Sequence, residues 1–233
     1  MNRTAPLKRS FHRFSRAATA SVLVALAACG LAEAGDTNAN VPAAAVDQPL
    51  AQAKGSQTLV VAGGCFWGVD AVFKHVKGVA SVTSGYAGGK KDTADYDTVS
   101  TGTTGHAESV EIVYDPSQVT LGQLLRVFFS VAHNPTELDR QGPDHGTQYR
   151  SAIFVKDADQ KRVVDAYIAQ LQAAKVFPAA IVTQVTPLVA FYPAETYHQN
   201  YLALHPMQPY IVINDKPKVE ALKTMFPTIY RAS

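Results

Sequence analysis

Cysteine is scarce in this chain. Among 233 residues there are two, Cys29 and Cys65, and none follows Cys65. Two thiols exclude a dense disulfide framework and a four-cysteine zinc site. Charge of one sign is also lacking. The 21 Lys+Arg against 19 Asp+Glu leave a net charge of +2, too weak to imply a nucleic-acid partner. The apolar run Ala17–Ala28 has twelve residues, short of the roughly twenty that a permanent transmembrane helix needs. No pair of histidines has the H-x-x-x-H spacing of a metal site, and no internal repeat is visible. Apolar residues are not lacking: at 47% they supply a sizeable core and exclude a disordered chain.

Acidic residues are missing from one place in particular. None precedes Glu33, whereas Arg3, Lys8, Arg9, Arg13 and Arg16 fall within the first sixteen residues. A basic stretch followed by a short apolar block has the pattern of a secretory signal peptide over residues 1–28. Mitochondrial transit peptides are also Arg-rich, but they are amphipathic, and this block is hydrophobic all round. Leu26-Ala27-Ala28-Cys29 resembles the lipobox of bacterial lipoproteins, which makes Cys29 a candidate lipid attachment site; Gly30 after it resembles an outer-membrane destination. Ala32-Glu33-Ala34 offers a competing A-x-A cleavage site that would release a soluble periplasmic protein. Cleavage before Cys29 removes the five basic residues and no acid, which leaves 16 Lys+Arg against 19 Asp+Glu, a mildly acidic domain. Residues 29–56, rich in Ala, Asp, Asn, Gln and Pro, read as a flexible tether, and the folded domain is expected over 57–233.

Within that domain Gln57–Ala62 reads as a buried strand. A Gly63-Gly64 turn leads into a helix over Cys65–Val76, whose Phe66, Val69, Val72, Phe73 and Val76 share one face. Val79–Tyr86 and Ser109–Tyr114 alternate as strands. Residues 87–107 and 134–149 read as long loops, which in a compact domain are usually functional. Thr120 caps a helix with Leu121, Leu124, Leu125, Phe128 and Phe129 on its apolar face. Then come a strand at Ser151–Val155, a helix from Asp157, a strand at Ile181–Val189 and two short helices, 194–204 and 219–225. Helices packed on an antiparallel or mixed sheet, a two-layer α+β sandwich, fit this order better than a doubly wound parallel sheet.

Cys65 is the candidate nucleophile, with a buried core cysteine as the competing reading. At the head of a helix a thiolate faces unpaired backbone N–H groups and the positive end of the helix dipole, so its pKa is expected to fall. The sole Trp of the chain, Trp67, lies two residues on and falls off the apolar period. With Phe66 it suggests a hydrophobic pocket for a small apolar group beside a nucleophile.

Gly64-Cys65-Phe66-Trp67-Gly68 resembles the signature of the peptide methionine sulfoxide reductase A family. Gly85-Tyr86-Ala87-Gly88-Gly89, Gly105-His106-Ala107-Glu108 and Asp144-His145-Gly146-Thr147-Gln148-Tyr149-Arg150-Ser151 follow in the family's order. Tyr197-His198-Gln199-Asn200-Tyr201-Leu202 is a weaker match. The resemblance implies a ferredoxin-like α-β plait and an enzyme that uses no cofactor and no metal. It makes Cys65 the nucleophile toward the sulfoxide sulfur and Glu108 the acid that protonates the oxygen. Tyr96 and Tyr149 would donate hydroxyl hydrogen bonds to that oxygen, Asp144 would order water and the sulfenic acid stage, and Phe66 and Trp67 would enclose the substrate methyl. His106 and His145 are expected to hold loops.

Many relatives carry resolving cysteines near the C-terminus. Here the corresponding stretch, Met207–Asp215, has none. That resembles the single-cysteine branch, in which an external thiol, thioredoxin-like or glutaredoxin-like, regenerates the enzyme. A monomer is expected, with oxidised methionine, free or in exported proteins, as substrate. A cysteine hydrolase using Cys65 with His106 or His145, and a lipid-anchored binding module without turnover, are the competing readings.

Overall fold

The computed structural model describes residues 41–232. The expected signal peptide, Cys29 and the competing cleavage site lie outside the described residues.

The strands are β1 (Gln57–Gly63), β2 (Val79–Ala87), β3 (Ala107–Tyr114), β4 (Arg140–Gln141), β5 (Asp144–His145), β6 (Ser151–Val155), β7 (Gln184–Pro187) and β8 (Phe191–Pro193). The helices are α1 (Phe66–Lys74), α2 (Tyr96–Val99), α3 (Leu121–Val127), α4 (Ala158–Ala173), α5 (Tyr201–Leu204) and α6 (Lys216–Met225). Six strands form one mixed sheet in the order β7-β6-β1-β3-β2-β8, and β4 and β5 form a separate two-stranded ladder. Every pairing in the large sheet is antiparallel except β6 with β7. The architecture is thus α+β.

The Leu59-Val60-Val61-Ala62 run is continuous in sequence, yet its side chains alternate between two cores. Leu59 and Val61 join the large cluster with Val69, Val72 and Phe73 of α1, Leu124 and Leu125 of α3, Val163, Val164 and Tyr167 of α4, and Val219 and Leu222 of α6. Val60 and Ala62 face the other way, onto Ala87, Ala107, Ala152 and Phe154, with Leu188 and Phe191 against them. A strand buried on both faces has no polar side to show, which is why it reads as an unbroken apolar run.

Local signals set the helix starts. Thr120 closes a capping box with Gln123 ahead of α3, and Asp157 accepts from the Gln160 N–H ahead of α4. The helix begun by α3 continues through a wider turn over Phe128–Ala132. The strand expected at Ile181–Val189 is shorter, and a second one, β8, pairs with β2 at the opposite edge. The last helix starts at Lys216, with Pro217 in its first turn, where a missing N–H costs nothing.

The tether expected over 29–56 needs correction in its described part. Val41 is buried; its carbonyl accepts from Arg126, and the carbonyl of Pro42 accepts from the Tyr167 hydroxyl at 2.7 Å. Asp47 accepts from Thr120 Oγ1 and from the Gly122 N–H at the start of α3. The segment is compositionally a linker, but the unpaired N–H groups of a helix N-terminus give its carboxylate a partner.

Candidate active site

Cys65 is the N-cap of α1 and its side chain makes no capping bond. Gly64 before it has φ +85, and a side chain there would run into Gln141, so the turn that presents the thiol requires glycine. The thiol is 8% exposed. Its expected pKa depression is not observed: burial pushes the Cys65 thiol well up, and the carboxyls of Glu108 and Asp215 add to this. The backbone N–H of Trp67 and the ammonium of Lys218 act in the opposite direction.

Glu108 lies on β3, which pairs with β1 and so reaches the same sheet end that delivers Cys65. It is 3% exposed, and its Oε2 accepts the Phe66 N–H at 3.1 Å. Burial raises its pKa to about 8; the Phe66 bond opposes the rise, and the charges of Asp144 and Asp215 reinforce it. At neutral pH this carboxyl therefore carries a proton. On sequence it was a carboxylate where a loop meets a strand; its burial is a product of the sheet.

Tyr149 ends the turn Thr147–Tyr149. Burial raises its phenol pKa, and the charges of Glu108 and Asp144, then Tyr96 and Cys65, act in the same direction. Tyr96 opens α2; its backbone N–H donates to Glu195 Oε1 at 2.9 Å. Asp144 on β5 accepts from the Tyr210 hydroxyl, and burial raises its pKa. Phe66 is buried, its ring centroid 5.9 Å from Tyr86 and 5.0 Å from His198. Trp67 is only partly buried. It stacks on Tyr201 at 3.7 Å, meets Tyr210 edge-on at 6.0 Å, and donates its indole N–H to His198 Nδ1 at 3.1 Å.

Several of these partners escaped the sequence reading. Glu195 accepts from both the Tyr86 hydroxyl and the Tyr96 N–H, so one carboxylate holds two tyrosines from separate segments. His198 and Tyr201 belong to a segment noted as a motif without a role, and Tyr210 and Asp215 to a stretch noted for its missing cysteine. Their signal was the density of Tyr, His and Asp in a polar C-terminal region.

His106 and His133 are committed elsewhere. His106 accepts the Gly89 N–H on Nδ1 and bonds the Lys90 carbonyl through Nε2 at 2.9 Å, holding the 87–107 loop. His133 bonds the Phe128 carbonyl and Ser151 Oγ, and burial lowers its pKa to about 3. His145 is exposed on the β4–β5 ladder. None of these bonds leaves a base on the Cys65 sulfur, which a cysteine hydrolase requires. Among the described residues no group of three or more His, Cys, Asp or Glu side chains could hold a metal ion.

A buried thiol at a helix start and a proton-bearing carboxyl that accepts the N–H of the next residue, with tyrosines acting on both, define a thiol-based oxidoreductase site. The family model for peptide methionine sulfoxide reductase matches residues 57–229, and the chain belongs to that family. Peptide methionine sulfoxide reductase MsrA 2 of Mesorhizobium japonicum is 62% identical over 178 residues, 76% of this chain and 91% of that protein. The protein of the same name from Synechocystis is 51% identical over 174 residues, 75% of this chain and 81% of that one. Among solved structures, methionine sulfoxide reductase A of Corynebacterium diphtheriae matches with a TM-score of 0.56 and 38% identity. That match covers 66% of this chain and 77% of the other.

Proposed function

We propose that this oxidoreductase reduces the S epimer of methionine sulfoxide, free or in proteins, by direct attack of Cys65 on the sulfoxide sulfur. The attack joins the Cys65 sulfur to the substrate sulfur, and Glu108 donates its proton to the oxygen; as the substrate S–O bond breaks, the hydroxyl passes to the Cys65 sulfur, the S–S bond breaks, methionine leaves and Cys65 is left as a sulfenic acid. One external thiol then displaces water from the sulfenic acid to give a mixed disulfide. A second thiol releases Cys65 and departs as a disulfide. The observation that carries this reading is Glu108: a buried carboxyl, raised to about 8, tied to the amide next to the thiol. The hydroxyls of Tyr96 and Tyr149 suit the developing charge on oxygen, as in an oxyanion site. Asp144 orders water at the sulfenic acid stage, and Phe66 and Trp67 enclose the methyl group.

The reductant is a protein thiol of thioredoxin-like or glutaredoxin-like chemistry, because no second cysteine follows Cys65. The chain is an exported monomer that repairs oxidised exported proteins, released after Ala34 or held at a membrane by lipid on Cys29. The antiparallel order β6-β1-β3-β2, joined through α1 and α3, supports the α-β plait reading.

The test is turnover of a chiral methionine sulfoxide with dithiothreitol. The wild-type chain should convert the S epimer with loss of one oxygen, about 16 Da, whereas Cys65→Ser should not. Retained turnover in Cys65→Ser removes the nucleophile from the mechanism. Peptide cleavage in place of oxygen loss would point to a hydrolase.

A further inference from the structure

Gly68 is the third residue of α1. Three positions after an N-cap lies the place from which a capping-box carboxylate reaches back over the helix start. Gly68 has no side chain to do so, and α1 has no acid in its first turn. The space is filled from elsewhere. A Cβ built on Gly68 would overlap Asp215 Oδ1 and would stand 2.9 Å from Lys218 Nζ. The chain thus lays a carboxylate and an ammonium from the C-terminal segment over the first turn of the helix that Cys65 begins. The N-cap and the third helical residue are the two positions that a capping box brings together, so the pair overlies the turn that Cys65 begins.

Asp215 is an unusual residue to bury. It is 0% exposed; its Oδ1 meets Lys218 Nζ at 3.3 Å, and its Oδ2 has no hydrogen-bond partner among the described residues. A buried carboxyl left half-satisfied weakens the fold, and such a group calls for a reason other than stability. Lys218 retains 21% exposure, so its head stays at the edge of the cluster while its charge points inward.

The groups facing Cys65 are strongly one-sided. Glu108 comes from β3 and Asp215 from the turn before α6. Tyr96, Tyr149 and Tyr210, which also act on this centre, are neutral phenols. Against these acids the cation acting on the thiol is Lys218.

We propose that Lys218 is a positioning residue for Cys65: held by Asp215 in the space left by Gly68, its ammonium favours the thiolate that attacks the sulfoxide. Asp215 orients Lys218 and also opposes the thiolate, so the two residues act on the sulfur with opposite signs. The proposal rests on Cys65 being the nucleophile.

The test measures the thiol itself, without sulfoxide. Alkylation of the full-length chain by iodoacetamide is followed on the Cys65 peptide by mass spectrometry, from about pH 6 to about pH 10, a range that spans an ordinary thiol pKa. Lys218→Met should move the profile to higher pH and slow alkylation near neutral pH by about fivefold, a shift of under one pKa unit. Lys218→Arg should retain the wild-type profile. Asp215→Asn, nearly isosteric, should move the profile to lower pH. Opposite displacements in the two variants are a signature that loosened packing does not produce. Superimposed wild-type and Lys218→Met profiles in folded protein overturn the proposal, as do displacements of Lys218→Met and Asp215→Asn in the same direction. Should Asp215→Asn not fold, the Lys218→Met and Lys218→Arg pair decides alone. Because no sulfoxide is present, failure here is distinguishable from failure of the proposed reduction.

Discussion

Glu108 Oε2 accepts the backbone N–H of Phe66 at 3.1 Å, inside the protein, one residue beyond the thiol. The bond ties a central strand to the first turn of α1 and fixes Glu108 beside the residue that follows Cys65. It also decides which carboxyl oxygen is free: Oε1 carries no such tie and is available to hold the proton. Such a bond lowers the pKa of a carboxyl, yet burial prevails and leaves the group protonated up to about pH 8.

Two pH effects follow from that balance. In single-turnover measurements, sulfenic acid formation should decline as pH rises through about 8, because the ionised carboxylate has no proton to give. Glu108→Gln should lack this decline and be about 10²-fold slower. The stability effect has a definite sign. The folded pKa of about 8 lies above the ordinary 4.5, so the folded chain binds the extra proton. The stability from this proton is fully present below pH 4.5 and is lost as pH rises through about 8. Urea unfolding near pH 6 and near pH 9 should therefore show Glu108→Gln gaining on wild type at the higher pH.

Gly68→Ala tests the crowding over α1. Helix propensity alone favours alanine by about 1 kcal/mol. The added methyl would overlap the Asp215 carboxyl, and overpacking of a filled site costs about 1–3 kcal/mol. The net change should be destabilising, with a lower urea midpoint at an unchanged m-value. A stabilised Gly68→Ala would show that Asp215 moves aside freely.

Trp67→Phe separates shape from hydrogen bonding. Phenylalanine keeps an aromatic face for Tyr201 but loses the indole N–H that His198 Nδ1 accepts at 3.1 Å. His198 is 2% exposed, so its ring nitrogen would be left without that partner. A buried polar atom so stranded costs about 1–3 kcal/mol. We expect KM for a sulfoxide peptide to rise more than kcat falls, read from steady-state kinetics.

Asp47→Ala addresses the N-terminal segment. It removes acceptors for Thr120 Oγ1 and the Gly122 N–H at the start of α3. Loss of such a helix-start interaction costs about 0.5–2 kcal/mol. Limited proteolysis should then cut within residues 41–48 faster than in wild type, while turnover of a small sulfoxide stays unchanged, because the segment touches α3 and α4 and not Cys65.

The elements most legible in sequence were the longer ones, with room for a recurring apolar pattern. The helix after Cys65 and the capped helix at Thr120 repeat at three and four residues, and the strands read over Val79–Tyr86 and Ser109–Tyr114 fall within β2 and β3. The C-terminal third was less legible. Strands of three or four residues, such as β7 and β8, are too short for a period, and sheet pairing defines them. Composition misread residues 41–48, because hydrogen bonds from Arg126, Tyr167 and Gln170 to their backbone leave no trace in their own sequence.

The sequence by itself determined which groups this chain can bring to a sulfoxide. One cysteine stands behind a Gly-Gly turn, no cysteine follows it, and the ordered motifs around Glu108 and Tyr149 name the family, because side-chain chemistry and turn conformations are local properties. Only the tertiary structure decided the state of those groups. A thiol expected to ionise readily at a helix start is held protonated by burial among acids, and a carboxylate at a loop end becomes a proton-bearing acid. Burial and the sum of nearby charges depend on residues such as Asp215, Lys218 and Glu195, which lie far along the chain and meet the site only when the sheet and helices close around it.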